Sequence, residues 1–387
     1  MGPEPGIMRI TDDWIGTGAV QTVLALIEAG GHRAFLVGGC VRNALMGLPV
    51  TDIDVATDAL PDRVAELAGA AGVRVVPTGM AHGTVTLIVS GQPFEVTTFR
   101  RDLETDGRRA VVAFSDRLAD DAARRDFTMN ALYADRTGKV IDPVSGLNDL
   151  LRRRVRFVGD PAARIAEDYL RILRFFRFLA VYGDPVAGPD PEAMAACAAL
   201  SDGVQRLSRE RIGQEMRKLL SARDPSPAVA AMQAAGVLAR TLPGADGSAL
   251  SVLVHIEDGI PPRWIRRLAV LGGDGPVAEK LRLSRSEART LADLRAAIAS
   301  GDRPDAIGHR LGAEVGTDAV LARAALSGRA PPDGWQADVL RGAQAQFPVT
   351  AADLSPLAGA ELGDRLAALK ARWLASGLLL TRDELLA

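Results

Sequence analysis

The chain contains 387 residues, of which 48% are hydrophobic and 24% are charged, and its 46 Lys and Arg nearly balance its 48 Asp and Glu. This length predicts two or three domains, and the near-neutral charge means that any nucleic-acid-binding surface has to come from local clusters of basic residues. No apolar run is long enough for a membrane span, and no signal-peptide pattern is present. Cys40 and Cys197 are the only cysteines, which argues against a disulfide framework or a zinc cluster and is typical of a cytoplasmic protein.

Strands and helices alternate in the first part of the chain. A helix is predicted to end near Ala29, because Gly30 and Gly31 provide a C-cap, and a short apolar strand follows at 35–37. A glycine turn, a helix, a second short strand and a helix with Pro61 in its first turn come next. Period-two alternation on both sides of Gly91 then predicts a β-hairpin. These mixed elements, up to about residue 158, predict one α/β domain.

The most informative stretch is a strand, a glycine pair and a helix start, followed by two aspartates, in FLVGGCVR (35–42) and TDIDV (51–55). Gly38 and Gly39 allow the backbone to approach a ligand and offer N–H groups at a helix start, where a phosphate binds well. Because side chains alternate along a strand, Asp52 and Asp54 should leave the same face. Two carboxylates beside a phosphate are what a Mg²⁺-dependent phosphoryl-transfer site requires. A Rossmann dinucleotide turn is the competing interpretation, but it needs a third glycine that is missing here.

The segment that follows adds a candidate carboxylate and a candidate loop. Glu95 alternates with Phe94 and Val96 on a strand expected to lie beside the aspartate strand. It is a candidate third carboxylate of the site, and the alternative is an ordinary surface glutamate. Residues 100–115 are polar and arginine-rich and predict a mobile loop.

A second basic segment, RRDFTMNA at 124–131, places two guanidinium groups, a carboxylate and an amide around a short apolar helix. Arg125 is a candidate phosphate ligand, because the planar guanidinium group matches phosphate oxygens. The alternative is a solvated helix start with Asp126 as its N-cap.

After Gly159 the strand pattern disappears, and the rest of the chain is predicted to be helical, with one helix over 165–181. On that helix Asp168 and Arg171 are i, i+3 neighbours, with Arg174 on the next turn. Cytosine and adenine present an amino donor next to a ring-nitrogen acceptor, a pattern that a carboxylate beside a guanidinium complements, whereas uracil and guanine present the opposite pattern. The pair is therefore a candidate base reader that accepts CTP and ATP, and the alternative is a surface salt bridge.

Several motifs occur together in the order of one known family. They are GGCVRNALMG, TDIDVAT, EVTTFR, RRDFTMNAL, DPVSG, EDYLRILRFFRF and LSRERIGQEMRKLL, with GAELGDRLAALKARWLASG near the C-terminus. With these motifs the chain resembles the class II tRNA nucleotidyltransferases, the CCA-adding enzymes, which share their family with bacterial poly(A) polymerases. The resemblance implies a mixed α+β fold, in which a polymerase-β-like nucleotidyltransferase head at 1–158 is followed by an all-helical neck at 159–225, a body at 226–330 and a tail at 331–387.

The resemblance also implies roles for individual residues. Asp52 and Asp54 would bind Mg²⁺, and Glu95 is the further candidate catalytic carboxylate. The candidate nucleotide-binding residues hold the triphosphate or contact the base, and they are Gly38, Gly39, Arg42, Arg125, Asp168, Arg171, Arg174 and Arg177. Asn43 is a departure, because the family usually has Asp at this place, and the change removes a nearby charge without affecting the metal ligands.

The implied reaction is template-independent addition of CCA to tRNA 3′ ends, by Mg²⁺-dependent nucleotidyl transfer from CTP and ATP with release of pyrophosphate. Mg²⁺ would lower the pKa of the RNA 3′-hydroxyl and stabilise the leaving pyrophosphate. The expected partners are the acceptor stem and 3′ end of tRNA together with CTP and ATP, and no protein partner is evident. The segment 100–115 is long enough to be the switch with which the family admits ATP after two cytidines.

Other readings of the same motifs are a poly(A) polymerase, an enzyme that adds only CC or A, and a catalytically inactive RNA-binding protein. The near-neutral charge and the lack of a long basic C-terminal extension argue against the first, and the intact Asp52 and Asp54 argue against the last. RNA contacts are expected from two groups of arginines, which are Arg152, Arg153, Arg154 and Arg156, and Arg263, Arg266, Arg267, Arg282, Arg285 and Arg289.

Overall fold

The computed structural model describes residues 8–77, 79–106 and 109–387, and the chain divides after Leu207 into two compact units. The strands of the first unit are β1 (Ala34–Val37), β2 (Asp54–Thr57), β3 (Arg74–Val76), β4 (Thr84–Val89), β5 (Gln92–Thr98), β6 (Arg100–Asp106), β7 (Arg109–Phe114), β8 (Tyr133–Ala134) and β9 (Val140–Ile141). Its helices are α1 (Gly18–Ala29), α2 (Gly39–Leu45), α3 (Pro61–Ala70), α4 (Leu118–Ala123), α5 (Gly146–Leu151), α6 (Pro161–Glu167), α7 (Leu170–Tyr182) and α8 (Pro191–Ala199), with 3-10 turns at Met80–His82, Thr128–Asn130 and Ser201–Arg206.

A seven-stranded sheet forms the core of the first unit, in the order β3-β4-β5-β2-β1-β8-β9. Neighbouring strands are antiparallel except for β2 and β5, which are parallel. Apolar side chains from the central strands, such as Val37 and Val55, are almost completely buried, and helices α1 and α3 pack on the sheet. The burial of these strands explains their apolar sequences, and it fixes the position of the turns that follow them.

Several predictions of secondary structure are confirmed. Helix α1 ends at Ala29 with Gly30 as its C-cap, and Pro61 is the first residue of α3. Strands β4 and β5 form the predicted hairpin around Gly91, which has a φ of 78°. Residues 159–387, all of which are described, contain helices and no strand. The mixed α+β fold class is therefore correct.

The prediction of a loop at 100–115 is wrong. Strands β6 and β7 form a two-stranded antiparallel ribbon there, with Arg100 opposite Phe114. Residues 107 and 108, which belong to the predicted loop, lie outside the described residues. The sequence does contain signals for the ribbon, because 109–114 (RAVVAF) is rich in residues that favour strands and Asp106-Gly107 is a typical hairpin pair.

The prediction of one continuous helix over 165–181 is also wrong. Helix α6 ends at Glu167, and Asp168 has an extended backbone with φ −154° and ψ 106° before α7 begins. The carboxylate of Asp168 accepts a hydrogen bond from the backbone N–H of Leu170 at 3.0 Å. Such a local bond from an aspartate competes with helix formation and accounts for the break.

The second unit is helical throughout. Its helices are α9 (Arg209–Leu220), α10 (Ser226–Ala234), α11 (Val237–Thr241), α12 (Leu250–Ile256), α13 (Trp264–Leu271), α14 (Val277–Lys280), α15 (Arg285–Ala299), α16 (Pro304–Ser327), α17 (Trp335–Gln344), α18 (Gly359–Ala375) and α19 (Arg382–Leu386), with a 3-10 turn at Ala351–Leu354. Helix α16 is kinked at Gly312. Within the described part of the chain, no helix has both the length and the apolarity that crossing a bilayer requires.

Two arginines that were expected to contact RNA instead lie in the core of the second unit. Arg266 and Arg267 are 0% and 1% exposed and both pair with Glu257, while Arg266 also pairs with Asp318. Arg267 donates to the backbone carbonyls of three residues at and after the end of α9, which are Leu220, Ala222 and Arg223. These two arginines are structural, whereas Arg282, Arg285 and Arg289 are exposed.

Candidate functional site

Three adjacent strands bring the glycine pair and two carboxylates together. The last residue of β1, Val37, lies opposite Asp54, and on the other side of β2 Asp54 lies opposite Glu95 of β5. Because the glycine pair follows Val37 directly, the turn begins next to Asp54. The sequence therefore correctly predicted that Glu95 lies on the strand beside the aspartate strand.

The two aspartates have different surroundings. Strand β2 begins only at Asp54, which is half-buried, whereas Asp52 lies two residues before the strand and is exposed. Burial, together with the charges of Glu95 and Asp52, raises the pKa of Asp54 to about 6, although the nearby Arg125 opposes this effect. Among the described residues, no side chain or backbone group donates a hydrogen bond to the Asp54 carboxylate. A negative charge placed this way is unfavourable unless a cation neutralises it.

The carboxylates fit a magnesium ion that takes most of its ligands from elsewhere. Within the residues that the structure describes, no group of three or more His, Cys, Asp or Glu side chains is arranged to hold a metal. Mg²⁺ is usually bound in proteins by one or two carboxylates together with water and substrate phosphates. Asp52 and Asp54 would supply carboxylates of this kind, whereas the described residues do not form a closed metal cage made by the protein alone.

Gly38 lies against a guanidinium group. Its φ of 74° and ψ of −119° are accessible in practice only to glycine, and a Cβ atom placed there would lie 3.3 Å from Nη1 of Arg125. The absence of a side chain thus allows Arg125 to reach the backbone of the glycine turn. This contact places one of the predicted phosphate ligands beside the predicted phosphate-binding turn.

Arg125 is held in place by two buried partners that the sequence analysis missed. Its guanidinium group donates to Asp121 of α4 at 2.9 Å and to the hydroxyl of Tyr133 at 3.1 Å, and Tyr133 in turn donates to Asp121 at 2.7 Å. Asp121 is 1% exposed. Burial acts to lower the pKa of Arg125, but the charge of Asp121 and the contact with Tyr133 outweigh it and raise that pKa above its usual value. The side chain of Arg125 is therefore charged and fixed, with Nη1 facing Gly38.

Arg42 is more deeply buried than its predicted role suggests, with 6% of the residue exposed. It donates through Nε and Nη2 to Asn43 Oδ1, through Nη2 to the Tyr182 hydroxyl, and through Nη1 to Asn130 Oδ1. A guanidinium group has five N–H bonds, so one Nη1 N–H has no partner among the described residues. Arg42 can therefore offer a charge and a single N–H to a ligand, but not the paired contact expected of a free arginine.

A chain of hydrogen bonds connects Arg42 to helix α7. Asn130 accepts from Arg42 and donates to Asp126 at 2.9 Å, and Asp126 accepts from Arg174 of α7 at 2.8 Å. These contacts lower the pKa of Asp126 to about 2, with the charge of Arg174 as the largest favourable cause. Asp126 is thus not the N-cap of a solvated helix, which was one reading of the sequence, but the link between two segments of the site.

Of the four predicted base-contacting residues, three lie on α7, whereas Asp168 lies in the break between α6 and α7. Asp168 and Arg171 therefore do not share one helix as predicted, and Arg171 donates to Glu167 and to the backbone carbonyl of Arg164 at 2.7 Å. Arg174 and Arg177 both lie over the ring of Phe178, at 5.5 and 4.9 Å.

Sequence reasoning missed Asp121, Tyr133 and Tyr182, each of which holds one of the predicted arginines. Asp121 and Arg125 are i, i+4 neighbours, and Tyr182 is eight residues after Arg174, on the same helix face. These spacings are weak signals by themselves. The contacts of Tyr133 with Arg125 and of Tyr182 with Arg42 depend on how the elements pack.

Known proteins share both the sequence and the fold of this chain. Residues 34–156 match the family model of the poly A polymerase head domain, and residues 189–247 match the model described as the probable RNA and SrmB- binding site of polymerase A. The mitochondrial CCA tRNA nucleotidyltransferase 1 of Homo sapiens is 40% identical over 205 residues, which cover 53% of this chain and 47% of that protein. The CCA-adding enzyme of Bacillus pumilus is 38% identical over 259 residues, which cover 65% of this chain and 63% of that protein.

A solved structure of the CCA-adding enzyme of Bacillus stearothermophilus in complex with CTP is similar over nearly the whole chain. The two share 26% identity and a TM-score of 0.68, and the alignment covers 92% of each chain. The similarity in sequence is more limited, since the matches span about half to two thirds of the length of the curated relatives.

Proposed function

We propose that the chain belongs to the family of the CCA-adding enzymes and bacterial poly(A) polymerases, and that it adds CCA to the 3′ ends of tRNA by nucleotidyl transfer from CTP and ATP. The relative of similar fold binds CTP, and the curated relatives are named for CCA addition. The proposed partners are CTP, ATP and the acceptor end of tRNA.

One observation carries the proposal. Among the described residues, a carboxylate without a hydrogen-bond donor and an arginine without an ion-pair partner lie on either side of the glycine pair. Asp54 is opposite Val37, which precedes Gly38, and a Cβ atom at Gly39 would lie 3.8 Å from Arg42 Nη2. Asp54 is half-buried next to Glu95 and Asp52 without a hydrogen-bond donor, and the buried Arg42 forms no ion pair with any described residue. A nucleoside triphosphate with its magnesium ion supplies both missing charges at once. A dinucleotide without a metal ion would supply only the negative charge, and an uncharged ligand would supply neither.

The residues of the chain divide the work between metal and phosphates. We propose that Asp52 and Asp54 hold Mg²⁺, which when bound lowers the pKa of the RNA 3′-hydroxyl and neutralises charge on the phosphates. Arg125, fixed by Asp121 and Tyr133, donates from Nη1 to a phosphate at the Gly38 turn. Gly38 and Gly39 let the phosphates approach the backbone, and Arg42 adds one N–H and its charge. The role of Glu95 is to increase the negative charge beside Asp54.

Base selection is proposed for Asp168 and Arg171, with Arg174 and Arg177 beside them. In this proposal Arg171 exchanges its contact with Glu167 for the pairing edge of the base. Asp168→Ala is then expected to raise incorporation of UTP or GTP relative to CTP, because the acceptor that the cytosine amino group needs is lost. Measured discrimination that stays equal to that of the unchanged chain would refute this role.

The experiment that tests the proposed function offers the chain a tRNA that lacks its 3′ CCA, with labelled CTP and ATP, separately and together, in the presence of Mg²⁺. Addition that stops after C-C-A supports the proposal, and Asp54→Ala should abolish it while tRNA binding persists. Addition of CC or A alone identifies a partial enzyme, and a long A tail on any RNA identifies a poly(A) polymerase. No incorporation would leave an RNA-binding protein and refute the proposed activity.

We also propose a cellular location and domain boundaries for the chain. Both cysteines are buried free thiols, which fits the cytoplasmic location proposed from the sequence. The division after Leu207 falls inside the predicted neck, and we retain head, neck, body and tail boundaries after residues 158, 225 and 330 as proposals. Exposed arginines of the second unit, such as Arg285 and Arg289, are the proposed tRNA contacts there.

A further inference from the structure

One face of α7 is shared by Arg174, Phe178 and Tyr182, which follow one another at intervals of four residues. The ring of Phe178 is 3% exposed and lies 5.1 Å from that of Tyr182. Three guanidinium groups surround the Phe178 ring, because Arg42 lies 5.2 Å from its centre, in addition to Arg174 and Arg177. The aromatic pair therefore forms a platform on which Arg42 of α2 meets the arginines of α7.

Tyr182, the last residue of α7, holds Arg42 in two ways at once. Its ring centre lies 4.0 Å from the guanidinium carbon of Arg42, and its hydroxyl accepts a hydrogen bond from Nη2 at 2.7 Å. The ring fixes the plane of the guanidinium group, and the hydroxyl fixes its rotation within that plane. No motif of the sequence analysis includes Tyr182, which lies just beyond the EDYLRILRFFRF segment.

The chemistry of these partners has a consequence for the charge of Arg42. Burial and the neighbouring Arg177 and Arg174 lower the pKa of Arg42, while Tyr182 and Asp126 favour its charged form. Its direct partners, Asn43, Asn130 and Tyr182, are all neutral. Neutral acceptors and an aromatic face stabilise a cation without cancelling its charge, as a carboxylate would. The charge of Arg42 therefore stays available to an anion.

We infer that Tyr182 is a positioning residue for nucleotide binding, which holds Arg42 in the orientation that meets the phosphates and connects that arginine to helix α7. This inference deepens the proposed function, because it assumes that the anion bound at Arg42 is the triphosphate of the nucleotide. Tyr182 acts on the phosphates through Arg42 and does not contact them itself.

The test measures the affinity of the full-length chain for two probes by calorimetry, inorganic tripolyphosphate with Mg²⁺ and the nucleoside cytidine. Tyr182→Phe keeps the ring and removes the hydroxyl, and it is expected to weaken tripolyphosphate binding roughly three- to tenfold. Tyr182→Leu removes the ring as well, and is expected to weaken it roughly ten- to thirtyfold. Cytidine affinity should stay within about twofold in both variants, because the nucleoside has no phosphate for Arg42 to meet.

Two controls separate positioning from a general structural effect. Val186→Ala changes a residue that is 93% exposed shortly after α7, and it should alter neither affinity. In an Arg42→Ala background, Tyr182→Phe should cause no further loss of tripolyphosphate affinity, since residues that act through one another are not additive. If Tyr182→Leu does not fold, Tyr182→Phe alone decides the question.

Three results would overturn the inference. They are unchanged tripolyphosphate affinity in Tyr182→Phe, equal weakening of tripolyphosphate and cytidine, and additive losses in the Arg42→Ala background. Because phosphate binding is measured apart from transfer, a chain that binds tripolyphosphate through Tyr182 but adds nothing to tRNA overturns the proposed function and leaves this inference standing.

In the active enzyme, Tyr182→Phe should raise the KM for CTP with little change in kcat, because a contact made equally in ground and transition states affects only binding.

Discussion

A single glycine determines how closely a cationic side chain approaches the turn after β1. Gly38→Ala forces a side chain onto a backbone with φ 74° and ψ −119°, and pushes its Cβ to 3.3 Å from Arg125 Nη1. We expect transfer activity to fall at least about tenfold, since a small displacement of a substrate-positioning group has large effects, and stability to fall by about 1–3 kcal/mol. Steady-state kinetics and urea unfolding measure the two effects.

Gly47→Ala is the control, because Gly47 also has a positive φ of 64° but no atom within 4 Å of the added Cβ. Equal activity losses in the two variants would refute the role of the Arg125 contact.

The charge of a single carboxylate, Asp54, affects both stability and activity. Its pKa is about 6 in the folded chain against 3.8 for the unperturbed group, so the folded chain becomes less stable as the pH rises from about 4 to about 6. At pH 7.5 without divalent metal, Asp54→Asn should therefore unfold at higher urea, with a gain of about 1–3 kcal/mol, while activity falls at least about a hundredfold. The stability gain should shrink as the pH falls below 6 and disappear near pH 3, where the carboxyl is protonated in both the folded and the unfolded chain.

The exposed Asp52 offers a matched control for this measurement. Asp52→Asn removes a carboxylate of the same site with little burial, so its effect on stability should be smaller, although its effect on activity should be comparable. A pH-independent stability gain in Asp54→Asn would contradict the electrostatic explanation.

At the scale of elements, helix α7 is attached to the 3-10 turn at Thr128–Asn130 through Asp126 and Arg174. The folded pKa of Asp126 is about 2 against 3.8 for the unperturbed group, so this contact stabilises the fold above pH 4 and is lost as the pH falls through 2. Asp126→Asn is expected to lower the free energy of unfolding at pH 7 by about 1–3 kcal/mol, measured in urea. Arg63→Ala, which breaks an exposed pair with Glu66 on α3, should change it by less than about 0.5 kcal/mol. An equally small effect for Asp126→Asn would show that the link does not anchor α7.

The elements also show how far a sequence alone predicts this molecule. The hairpin of β4 and β5, the end of α1 and the glycine turn were predictable, because periodicity, Gly and Pro report local backbone preferences. The break between α6 and α7 was not predictable, since a helix-like apolar pattern continues through Asp168, whose bond to the Leu170 N–H competes with the helix. The aspartates, Arg125 and Arg42 were recognisable from motifs. Their supports, Asp121, Tyr133 and Tyr182, were not, because nothing in local sequence reports contacts across 140 residues, such as that between Arg42 and Tyr182.

At the scale of whole units, the second unit depends on buried charge as well as on apolar packing. Arg267→Met should lower its free energy of unfolding by about 3–5 kcal/mol, because Glu257 loses one of its two arginine partners and the carbonyls at the end of α9 lose their donor. Circular dichroism during urea unfolding measures the change. Arg282→Met is the matched control, since this side chain is 65% exposed and, among the residues that the structure describes, pairs with Glu210 alone. Its effect should stay within about 0.5 kcal/mol. Similar effects in both variants would contradict the structural role of the buried arginine.

The contacts of Arg42 limit how the proposed nucleotide preference of this chain can be engineered. Helix α7 carries the proposed base-contacting arginines, but it also carries Tyr182 and Arg174, which connect to the glycine-turn helix through Arg42 and through Asp126 and Asn130. Grafting α7 from a relative with another nucleotide preference would import a helix whose last turn does not match the recipient's arginine. A working chimaera therefore has to exchange α7 and the residues around Arg42 as one module, and random libraries confined to the helix should yield mostly enzymes with weakened nucleotide binding.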